Sequence, residues 1–290
     1  MLLSIITINY NNTTGLRKTV ESVLHQTSNE YEYIIIDGHS TDGSVEYLEA
    51  LNYKLQTANC QLISEPDSGI YNAMNKGIRM AKGDYIHFLN SGDWLVDEQV
   101  VEKMLQELKN FELRVSNSDL EGTLDVLVGN VIAIRPDGKV RYKTNDNKPV
   151  SLYTFYRGTI EHTSAYIRRA LFETYGLYDE SLHIVSDWKW YLQVAGLNNA
   201  NVQFTNTYVT YFDSTGISST NLELDKAERR KVLEELVPKS ILSDYDRHHF
   251  DIEQMERLKK HPAIFKIVWF VERLYFKIDK WKIKYWSWKR

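Results

Sequence analysis

Short runs of β-branched and aromatic residues alternate with helical patterns through the first 112 residues of the chain. Each run is followed by a segment in which apolar residues recur every three or four positions. A parallel pair of strands needs such a helical crossover between its members. The alternation therefore predicts an α/β fold with a Rossmann-like, mostly parallel central sheet flanked by helices. The predicted strands are residues 4–10, 31–37, 60–65 and 84–90.

The alternation weakens after residue 115. Two β-rich runs flank the turn sequence RPDGK, which predicts a hairpin. We expect residues 113–220 to form a smaller mixed sheet built onto the first, as the second half of one domain whose first half is residues 1–112. Residues 221–290 are predicted to form a C-terminal helical extension, of which the last part, 261–290, is basic and amphipathic.

Composition narrows the class of protein. With 290 residues, 43% hydrophobic and 26% charged, the chain has enough apolar material for a packed core and is not a disordered or coiled-coil protein. One cysteine, Cys60, excludes a disulfide framework and a thiolate metal cluster, and it favours the reducing cytosol. The apolar start is predicted as a strand, not a signal peptide. No run of apolar residues is long enough to predict a membrane-spanning helix.

Polar loops follow the four predicted strands, and in an open parallel sheet such loops meet in one crevice. These loops carry carboxylates, amides and hydroxyls. No GxGxxG follows the first strand, and no GxxxxGK[ST] occurs, so neither a dinucleotide site nor a P-loop is predicted. Carboxylates that face a phosphate group need a divalent cation between the like charges. The loops are residues 10–12, 37–42, 65–69 and 90–93.

The chain contains, in order, the sequences SIITINYN, IIIDGHSTDGS, EPDSGIYNAMNKGI and GDYIHFLNSGDW. With these motifs it resembles the family 2 glycosyltransferases of GT-A fold, in the subgroup that builds bacterial surface polysaccharides such as O-antigen or capsule. The resemblance covers roughly residues 3–195. It implies an inverting transfer of sugar from a UDP- or GDP-linked donor. Because the QxxRW motif of the family's processive members is missing after residue 188, transfer of a single sugar is favoured over polymerisation.

The resemblance implies a set of contacts to the nucleotide sugar. The family usually has two adjacent carboxylates at the end of the second strand, whereas this chain has Asp37-Gly38, which leaves the identity of the base open. Asp37 alternatively makes a strand-end Asx turn, and Lys76 alternatively is a solvated lysine. The implied residues are Thr7, Asn9, Tyr10, Asp37, Asp67, Gly69, Asn75, Lys76, Asn90, Ser91 and Gly92.

A metal ligand is also implied. The family's DxD motif is replaced here by Asn-Ser-Gly-Asp, and its last residue, Asp93, matches the carboxylate that holds the metal. Mn²⁺ or Mg²⁺ needs only one or two protein carboxylates when diphosphate oxygens supply other ligands. The alternative is that Asp93 caps the helix that follows.

Inverting transfer needs a base that removes the proton from the acceptor hydroxyl. Asp187, in the sequence SDWKW, matches the family's base, and its alternative is a helix-capping role. Trp188 and Trp190 are predicted to wall the sugar or acceptor site. His162 either contacts the diphosphate or metal, or is a hydrogen-bonded core residue.

The C-terminal segment differs in charge from the rest of the chain. Residues 261–290 contain eight Lys or Arg and two acids, a net charge of +6, against -10 for residues 1–260. An amphipathic helix with this composition favours peripheral contact with an anionic membrane surface, here the inner face of the cytoplasmic membrane. That fits an acceptor glycan carried on a lipid diphosphate. The alternative is a helix packed on the body or on a second copy in a homodimer; nucleic acid is disfavoured by the acidic body.

Two other functions stay open from the sequence. The reduced DxD motif and the missing second carboxylate are compatible with a non-catalytic nucleotide-sugar-binding or scaffold protein. A nucleotidyltransferase shares the sheet architecture, but the chain lacks a glycine- and arginine-rich N-terminal phosphate loop.

Overall fold

The computed structural model describes residues 2–51, 59–116, 122–145, 149–216 and 220–287. The chain divides into two compact units, Met1–Leu236 and Val237–Arg290.

Four parallel strands, as the sequence predicts, form the first part of the sheet. Their order in the sheet, β3-β2-β1-β4, is given by the structure. Every residue of β1 and β2 is buried, because helices cover both faces of a parallel sheet. Asn9 pairs with Asp37 at the carboxyl ends of β1 and β2, which brings the loops after both strands to one edge. The strands are β1 (Leu3–Asn9), β2 (Tyr31–Asp37), β3 (Cys60–Ser64) and β4 (Tyr85–Phe88).

The helices of this part are α1 (Thr13–Leu24), α2 (Ser44–Ala50), α3 (Ile70–Met80) and α4 (Val100–Ser116). Helix α3 lies close against β1. A Cβ atom added to Gly77 would lie 2.5 Å from Ile6 Cγ2, so a side chain at residue 77 would push α3 away from the sheet. This close packing fixes the position of the loop that precedes α3.

The second part of the chain extends the same sheet. Strand β8 (Ala165–Arg168) pairs antiparallel with β4, so the predicted smaller mixed part is continuous with the parallel part of the sheet. The order continues β4-β8-β6-β9-β5, and β7 pairs with β6 through the predicted hairpin. The strands are β5 (Trp94–Leu95), β6 (Val126–Ile134), β7 (Val140–Lys143), β8 (Ala165–Arg168) and β9 (Val202–Asp213).

Short helices cover this part of the sheet. Helix α7 (Ser186–Tyr191) continues directly into a π-helical segment, Leu192–Leu197. The helices are α5 (Leu152–Arg157), a 3₁₀ turn (His162–Ser164), α6 (Ala170–Tyr175), α7 (Ser186–Tyr191) and α8 (Leu222–Leu236).

The second unit contains α9 (Lys239–Lys259) and α10 (Pro262–Ser287). Apolar side chains of α10 are exposed over five consecutive positions, from Ile267 to Val271. None of the helices in the described ranges combines the length and apolar character needed to cross a lipid bilayer. The tryptophans Trp281, Trp286 and Trp288 lie outside the residues whose side chains the structure describes.

Candidate active site

Asp37 lies beneath the crevice at the carboxyl edge of the sheet. Its side chain is fully buried. Oδ1 accepts hydrogen bonds from Asn9 Nδ2 (2.8 Å) and Ser40 Oγ (2.7 Å), and Oδ2 accepts from Ser40 N (2.9 Å) and Ser64 Oγ (2.8 Å). Burial raises the pKa of Asp37, but these hydrogen bonds outweigh burial and hold the pKa below its ordinary value. Asp37 therefore joins the ends of β1 and β3 to the loop after β2, which is a structural role, and in this conformation it is covered from any ligand.

Two more of the residues predicted to bind the nucleotide are buried beneath the crevice, as Asp37 is. Thr7 is fully buried, and its hydroxyl bonds with the carbonyl of Leu89 (2.7 Å) and the hydroxyl of Tyr33 (2.9 Å). Asn9 is 4% exposed and is held by Asp37. Both residues differ from the prediction of direct ligand contact, because strand β1 is covered on both faces and only the loop after it reaches the crevice.

Tyr10 and Asp67 form the open wall of the crevice. Tyr10 is 67% exposed. A Cβ atom on Gly38 would lie 3.1 Å from Tyr10 Cδ2 and 2.5 Å from Asp67 Oδ2, so the ring and the carboxylate border the same space above Gly38. Asp67 Oδ1 accepts from Gly69 N (3.0 Å). The arrangement offers a ring face for stacking beside an acceptor oxygen.

The loop before α3 is held in place by Lys76. Its ammonium group pairs with Glu65 (2.8 Å) and donates to the carbonyl of Pro66 (3.0 Å). Gly69 has φ +136°, a conformation that L side chains rarely adopt, and it lies directly before α3. The ammonium group of Lys76 is therefore bound within the protein, unlike a solvated lysine. Its two contacts hold the loop that carries Asp67.

Asn75 faces the second half of the domain instead of the crevice. It is 1% exposed, its Nδ2 donates to Tyr178 O (2.9 Å) and Glu180 Oε1 (2.8 Å), and its Oδ1 accepts from Tyr178 N (3.0 Å). Asn72 also donates to Glu180, over 2.7 Å. Helix α3 is thus joined by hydrogen bonds to the segment that leads to Asp187.

The loop after β4 approaches the start of α1. Asn12 Nδ2 donates to the carbonyl of Ser91 (3.2 Å), and Gly92 N donates to Thr19 Oγ1 (3.1 Å). Gly92 has φ +107°, which favours glycine. Asn90 accepts a hydrogen bond on its carbonyl from Asp93 N (2.9 Å). These contacts shape the loop so that its backbone borders the crevice.

Asp93 lies next to Asp213, a residue at the end of β9 that the sequence did not indicate. Asp93 is 5% exposed, and its Oδ1 accepts from Asp213 N (2.9 Å). Burial raises the pKa of Asp93 to about 8, and the charge of Asp213 adds to the rise. Helix α4 begins seven residues later, at Val100, so the structure does not show the helix-capping alternative.

A divalent cation bound beside Asp93 and Asp213 would favour the ionised form of Asp93, which burial disfavours and the charge of Asp213 disfavours further. Within the described ranges, no group of three or more His, Cys, Asp and Glu side chains is arranged to hold a metal ion. A cation beside Asp93 and Asp213 would therefore take further ligands from a bound diphosphate and from water.

We predict that Asp93→Asn stabilises the metal-free protein more at pH 8 than at pH 5. Unfolded Asp93 loses its proton near pH 4, whereas folded Asp93 holds it to about pH 8. Between these values the folded state binds the extra proton, so rising pH lowers stability, by at most about 1.4 kcal/mol per pH unit. Asparagine does not titrate. Denaturant unfolding in EDTA at both pH values measures the difference, and an equal effect at the two values contradicts the assignment.

Asp187 lies in the first turn of α7, half-buried, beside an unpredicted partner. The hydroxyl of Tyr71, the second residue of α3, lies 2.9 Å from Asp187 Oδ1 and also in hydrogen-bond reach of the carbonyl of Ile184. Tyr71 is 5% exposed, so its hydroxyl is held away from bulk water. No described residue donates to Asp187 Oδ2, and that oxygen is left to accept from another group.

His162 packs behind this carboxylate. Its Nε2 is 2.9 Å from the hydroxyl of Tyr178, and its ring stacks on Phe88 with 5.0 Å between centroids. Burial lowers the pKa of His162, while the charge of Asp187 acts in the opposite direction. The contacts match the alternative of a hydrogen-bonded core residue, since both neighbours belong to the protein interior.

Trp188 and Trp190 do not wall the crevice in this structure. Each is 1% exposed. Trp188 Nε1 donates to Gly158 O (2.9 Å), and Trp190 Nε1 donates to Gly176 O (2.9 Å). Both rings pack in the core, where Trp190 stacks on Phe172 with 4.4 Å between ring centroids. The prediction that a sugar stacks on them is wrong for this conformation.

Glu228 of α8 supports the segment before Asp187. It is 8% exposed and accepts from the backbone N–H groups of His183 (2.8 Å), Ile184 (3.0 Å) and Val185 (3.3 Å). Burial raises the pKa of Glu228, but these hydrogen bonds outweigh burial and lower it overall. From the sequence, Glu228 belonged to a charged helix with no sign of a buried role.

The class of this protein follows from its similarity to known proteins. The family model "Glycosyl transferase family 2" matches residues 4–176. An uncharacterised glycosyltransferase of Mycobacterium tuberculosis is 32% identical over 221 residues, which cover 75% of this chain and 77% of the relative. The chain belongs to glycosyl transferase family 2, and it is a glycosyltransferase of GT-A fold.

A more distant relative and two solved structures are also similar to the chain. A PGL/p-HBAD biosynthesis glycosyltransferase of Mycobacterium bovis is 24% identical over 231 residues, covering 79% of this chain and 83% of that protein. Staphylococcus aureus TarS 1–349 with UDP-GlcNAc superposes with a TM-score of 0.61 at 18% identity, over 76% of this chain and 61% of that one. The mannosyltransferase PcManGT of Pyrobaculum calidifontis, with GDP-Man and Mn²⁺, gives 0.52 at 13% identity, over 71% and 55%. These structures share the fold.

Proposed function

We propose that this glycosyltransferase is inverting and non-processive and moves one hexosyl group from a UDP- or GDP-linked donor to a lipid-linked glycan of the bacterial surface. The observation that carries the proposal is the position of Asp187. Its carboxylate contacts the first turn of α3, and α3 begins directly after the loop that carries Asp67. A base is thereby held beside the predicted nucleotide loop.

Asp187 acts as the general base in this proposal. Its Oδ2 takes the proton of the acceptor hydroxyl while the acceptor oxygen forms a bond to the anomeric carbon. The bond from that carbon to the diphosphate oxygen breaks, and the nucleoside diphosphate leaves with the electron pair. Tyr71, by its contact with Oδ1, holds the carboxylate with Oδ2 directed to the acceptor.

Asp93 and Asp213 would hold Mn²⁺ or Mg²⁺ in the active enzyme. The ion supplies positive charge for the departing diphosphate. The presence of Mn²⁺ with GDP-Man in PcManGT supports this part of the proposal. A non-catalytic binding protein is the alternative, and it would bind the donor without releasing nucleoside diphosphate.

We predict that Tyr10→Ala weakens the binding of UDP and GDP by about tenfold or more. Stacking of a base on an aromatic ring contributes about 1–3 kcal/mol, and the exposed ring of Tyr10 is the surface available for it. Tyr142→Ala is the matched control, because Tyr142 is 64% exposed on β7. Isothermal titration calorimetry measures both. If the two variants bind UDP as the unaltered chain does, the base does not lie on Tyr10.

The acceptor part of the proposal depends on α10. Its exposed apolar positions and the basic composition of residues 261–290 support contact with the inner face of the cytoplasmic membrane, where a lipid-linked acceptor is presented. Attraction between basic residues and anionic lipid is screened by salt, with a Debye length of about 10 Å at 0.1 M.

We predict that the chain sediments with phosphatidylglycerol vesicles at low salt and that the double variant Ile267→Gln/Val271→Gln loses most of this binding. Both residues are exposed on α10. The matched control is Leu222→Gln/Val140→Gln, which replaces two exposed apolar residues of the first unit. Failure of the unaltered chain to bind vesicles, together with a concentration-dependent dimer that the α10 variant loses, would instead assign α10 to a homodimer.

A further inference from the structure

The hairpin between β6 and β7 projects from the same edge of the sheet as the crevice. Strand β6 runs parallel to β4, because both strands pair antiparallel with β8. The carboxyl end of β6 therefore lies at the edge where β1, β2 and β4 also end. Its last residue, Ile134, pairs in register with Asp213, and Ile134 O accepts a hydrogen bond from Ser214 N (3.0 Å). The turn of the hairpin thus begins beside the carboxylates Asp93 and Asp213.

Backbone hydrogen bonds give this turn a defined shape. Arg135 N donates to Lys139 O (2.9 Å), and Gly138 N donates to Arg135 O (2.8 Å). Gly138 has φ +75°, a conformation that favours glycine. The side chain of Asp137 accepts from Lys139 N (3.1 Å). The basic side chains of the hairpin are therefore presented from an ordered backbone.

The hairpin is basic, whereas the unit that carries it is acidic. Residues 135–143 contain four Lys or Arg and one Asp, a net charge of +3, against -13 for the other residues of the first unit. The carboxylate of Asp137 lies 3.8 Å from Arg135 and 3.3 Å from Lys139, so one acid faces two cations. Arg141 has no carboxylate within ion-pair distance among the residues that the structure describes. The hairpin therefore keeps an excess of positive charge.

Three of the four cations face solvent. Every residue from Arg135 to Tyr142 is exposed, and the side chains of Arg135 and Lys139 are 61% and 76% exposed. The fourth cation, Lys143, pairs with Glu161 (3.2 Å) and lies 5.3 Å above the ring of Phe212, so it is bound within the protein. The surface available to a partner is thus formed by Arg135, Lys139 and Arg141, which we call the basic hairpin.

An extended anionic surface fits the basic hairpin better than a small anion does. Asp137 already occupies the position between Arg135 and Lys139, whereas an extended surface can meet the exposed cations from outside. Phospholipid headgroups form such a surface. Each Lys or Arg near an anionic leaflet raises affinity by about fivefold.

We propose that the basic hairpin binds the anionic headgroups of the membrane and holds the open edge of the crevice at the lipid surface. The inference rests on the proposed lipid-linked acceptor, and it gives the first unit a membrane contact of its own in addition to α10. A lipid diphosphate presents its glycan at the level of the headgroups. The contact therefore brings the acceptor to the edge of the sheet where the donor loops meet.

The affinity of the full chain for phosphatidylglycerol vesicles tests the inference. We expect the variant Arg135→Gln/Lys139→Gln/Arg141→Gln to bind at least about tenfold more weakly at low salt, because it removes three cations that each contribute about fivefold. The difference should shrink at high salt, since ions screen the attraction. If the variant binds these vesicles as tightly as the unaltered chain does, the inference is overturned.

Two controls separate the position of the charge from its amount and from apolar contact. Lys82→Gln/Lys103→Gln/Lys226→Gln removes the same charge from exposed lysines elsewhere in the first unit. Val140→Gln keeps every charge of the hairpin. We expect both variants to bind vesicles within about twofold of the unaltered chain. A loss in the lysine control equal to that of the hairpin variant would show that net charge alone sets the affinity, which also overturns the inference.

Calorimetry with UDP and sedimentation equilibrium distinguish the other occupants of this surface. We expect the hairpin variant to bind UDP within about twofold of the unaltered chain. A large loss of UDP affinity would assign the hairpin to the donor diphosphate, and loss of a dimer would assign it to the acidic surface of a second copy; either result overturns the inference. Vesicle binding through the hairpin without consumption of any donor would contradict the proposed function and leave the membrane contact standing.

Discussion

Asp187→Asn is expected to lower the turnover number for sugar transfer by about 10²–10⁴-fold, the usual contribution of a general base. Asparagine keeps the shape of the side chain and still accepts from Tyr71, whose hydroxyl lies 2.9 Å from Oδ1. It cannot take the proton of the acceptor hydroxyl. Donor affinity should therefore stay within about twofold, and the loss should appear in the turnover number alone.

Release of nucleoside diphosphate, followed with a coupled assay, measures this effect. Asp244→Asn is the matched control, because Asp244 is an exposed carboxylate of α9. Near-normal turnover of Asp187→Asn would assign the base to another residue. A parallel loss of donor binding would instead show that the substitution disturbs the crevice.

Glu228→Ala is expected to destabilise the protein by about 3 kcal/mol, because it leaves three backbone N–H groups without their acceptor in a buried place. For a chain of this size such a loss lowers the melting temperature by roughly 6–12 °C. We also expect turnover to fall at temperatures where the variant is folded. Glu228 holds the backbone of Ile184, and the hydroxyl of Tyr71 contacts both the carbonyl of Ile184 and the carboxylate of Asp187.

The matched control for Glu228→Ala is Glu234→Ala on the same helix. Glu234 is exposed and pairs with Arg230, and pairs of this kind contribute about 0–1 kcal/mol. Thermal unfolding followed by circular dichroism compares the two variants. If both have the same melting temperature, Glu228 does not support the segment that carries the base.

The four βα units were predictable because each of their strands and helices has a recognisable local sequence pattern. Runs of β-branched and aromatic residues mark the strands, apolar residues recurring every three or four positions mark the helices, and polar loops mark the strand ends. The continuation of the sheet from β4 through β8 was not predictable in the same way. It depends on pairing between residues about 80 positions apart, such as His87 and Tyr166, and no local pattern records such a pairing.

The residues of the candidate site also fall into two groups, those that local sequence places correctly and those whose position depends on tertiary contacts. Tyr10, Asp67 and Asp187 lie in loops or at a helix start, and the structure leaves all three able to meet a ligand. Thr7, Asn75 and the two tryptophans are buried, because their side chains satisfy hydrogen bonds within the protein that only the tertiary structure reveals.

Three supporting residues had no signal in the sequence. Tyr71 lies 116 positions from the carboxylate that it contacts, and Asp213 lies 120 positions from Asp93. Glu228 is 45 positions from the backbone of His183 that it holds. Such partners are set by topology, and the residues themselves are of ordinary type for a helix or a strand end.

In the proposed reaction a sugar moves from a nucleotide donor to the acceptor with inversion at the anomeric carbon. The most direct measurement is proton NMR of the reaction of the full chain with UDP-GlcNAc or GDP-mannose, Mn²⁺ and a bacterial lipid extract. We predict that one donor is consumed only when the extract is present, that nucleoside diphosphate forms in equal amount, and that the new glycosidic bond has the anomeric configuration opposite to that of the donor. Retention of the donor's configuration, or binding of these donors without any consumption, would contradict the account.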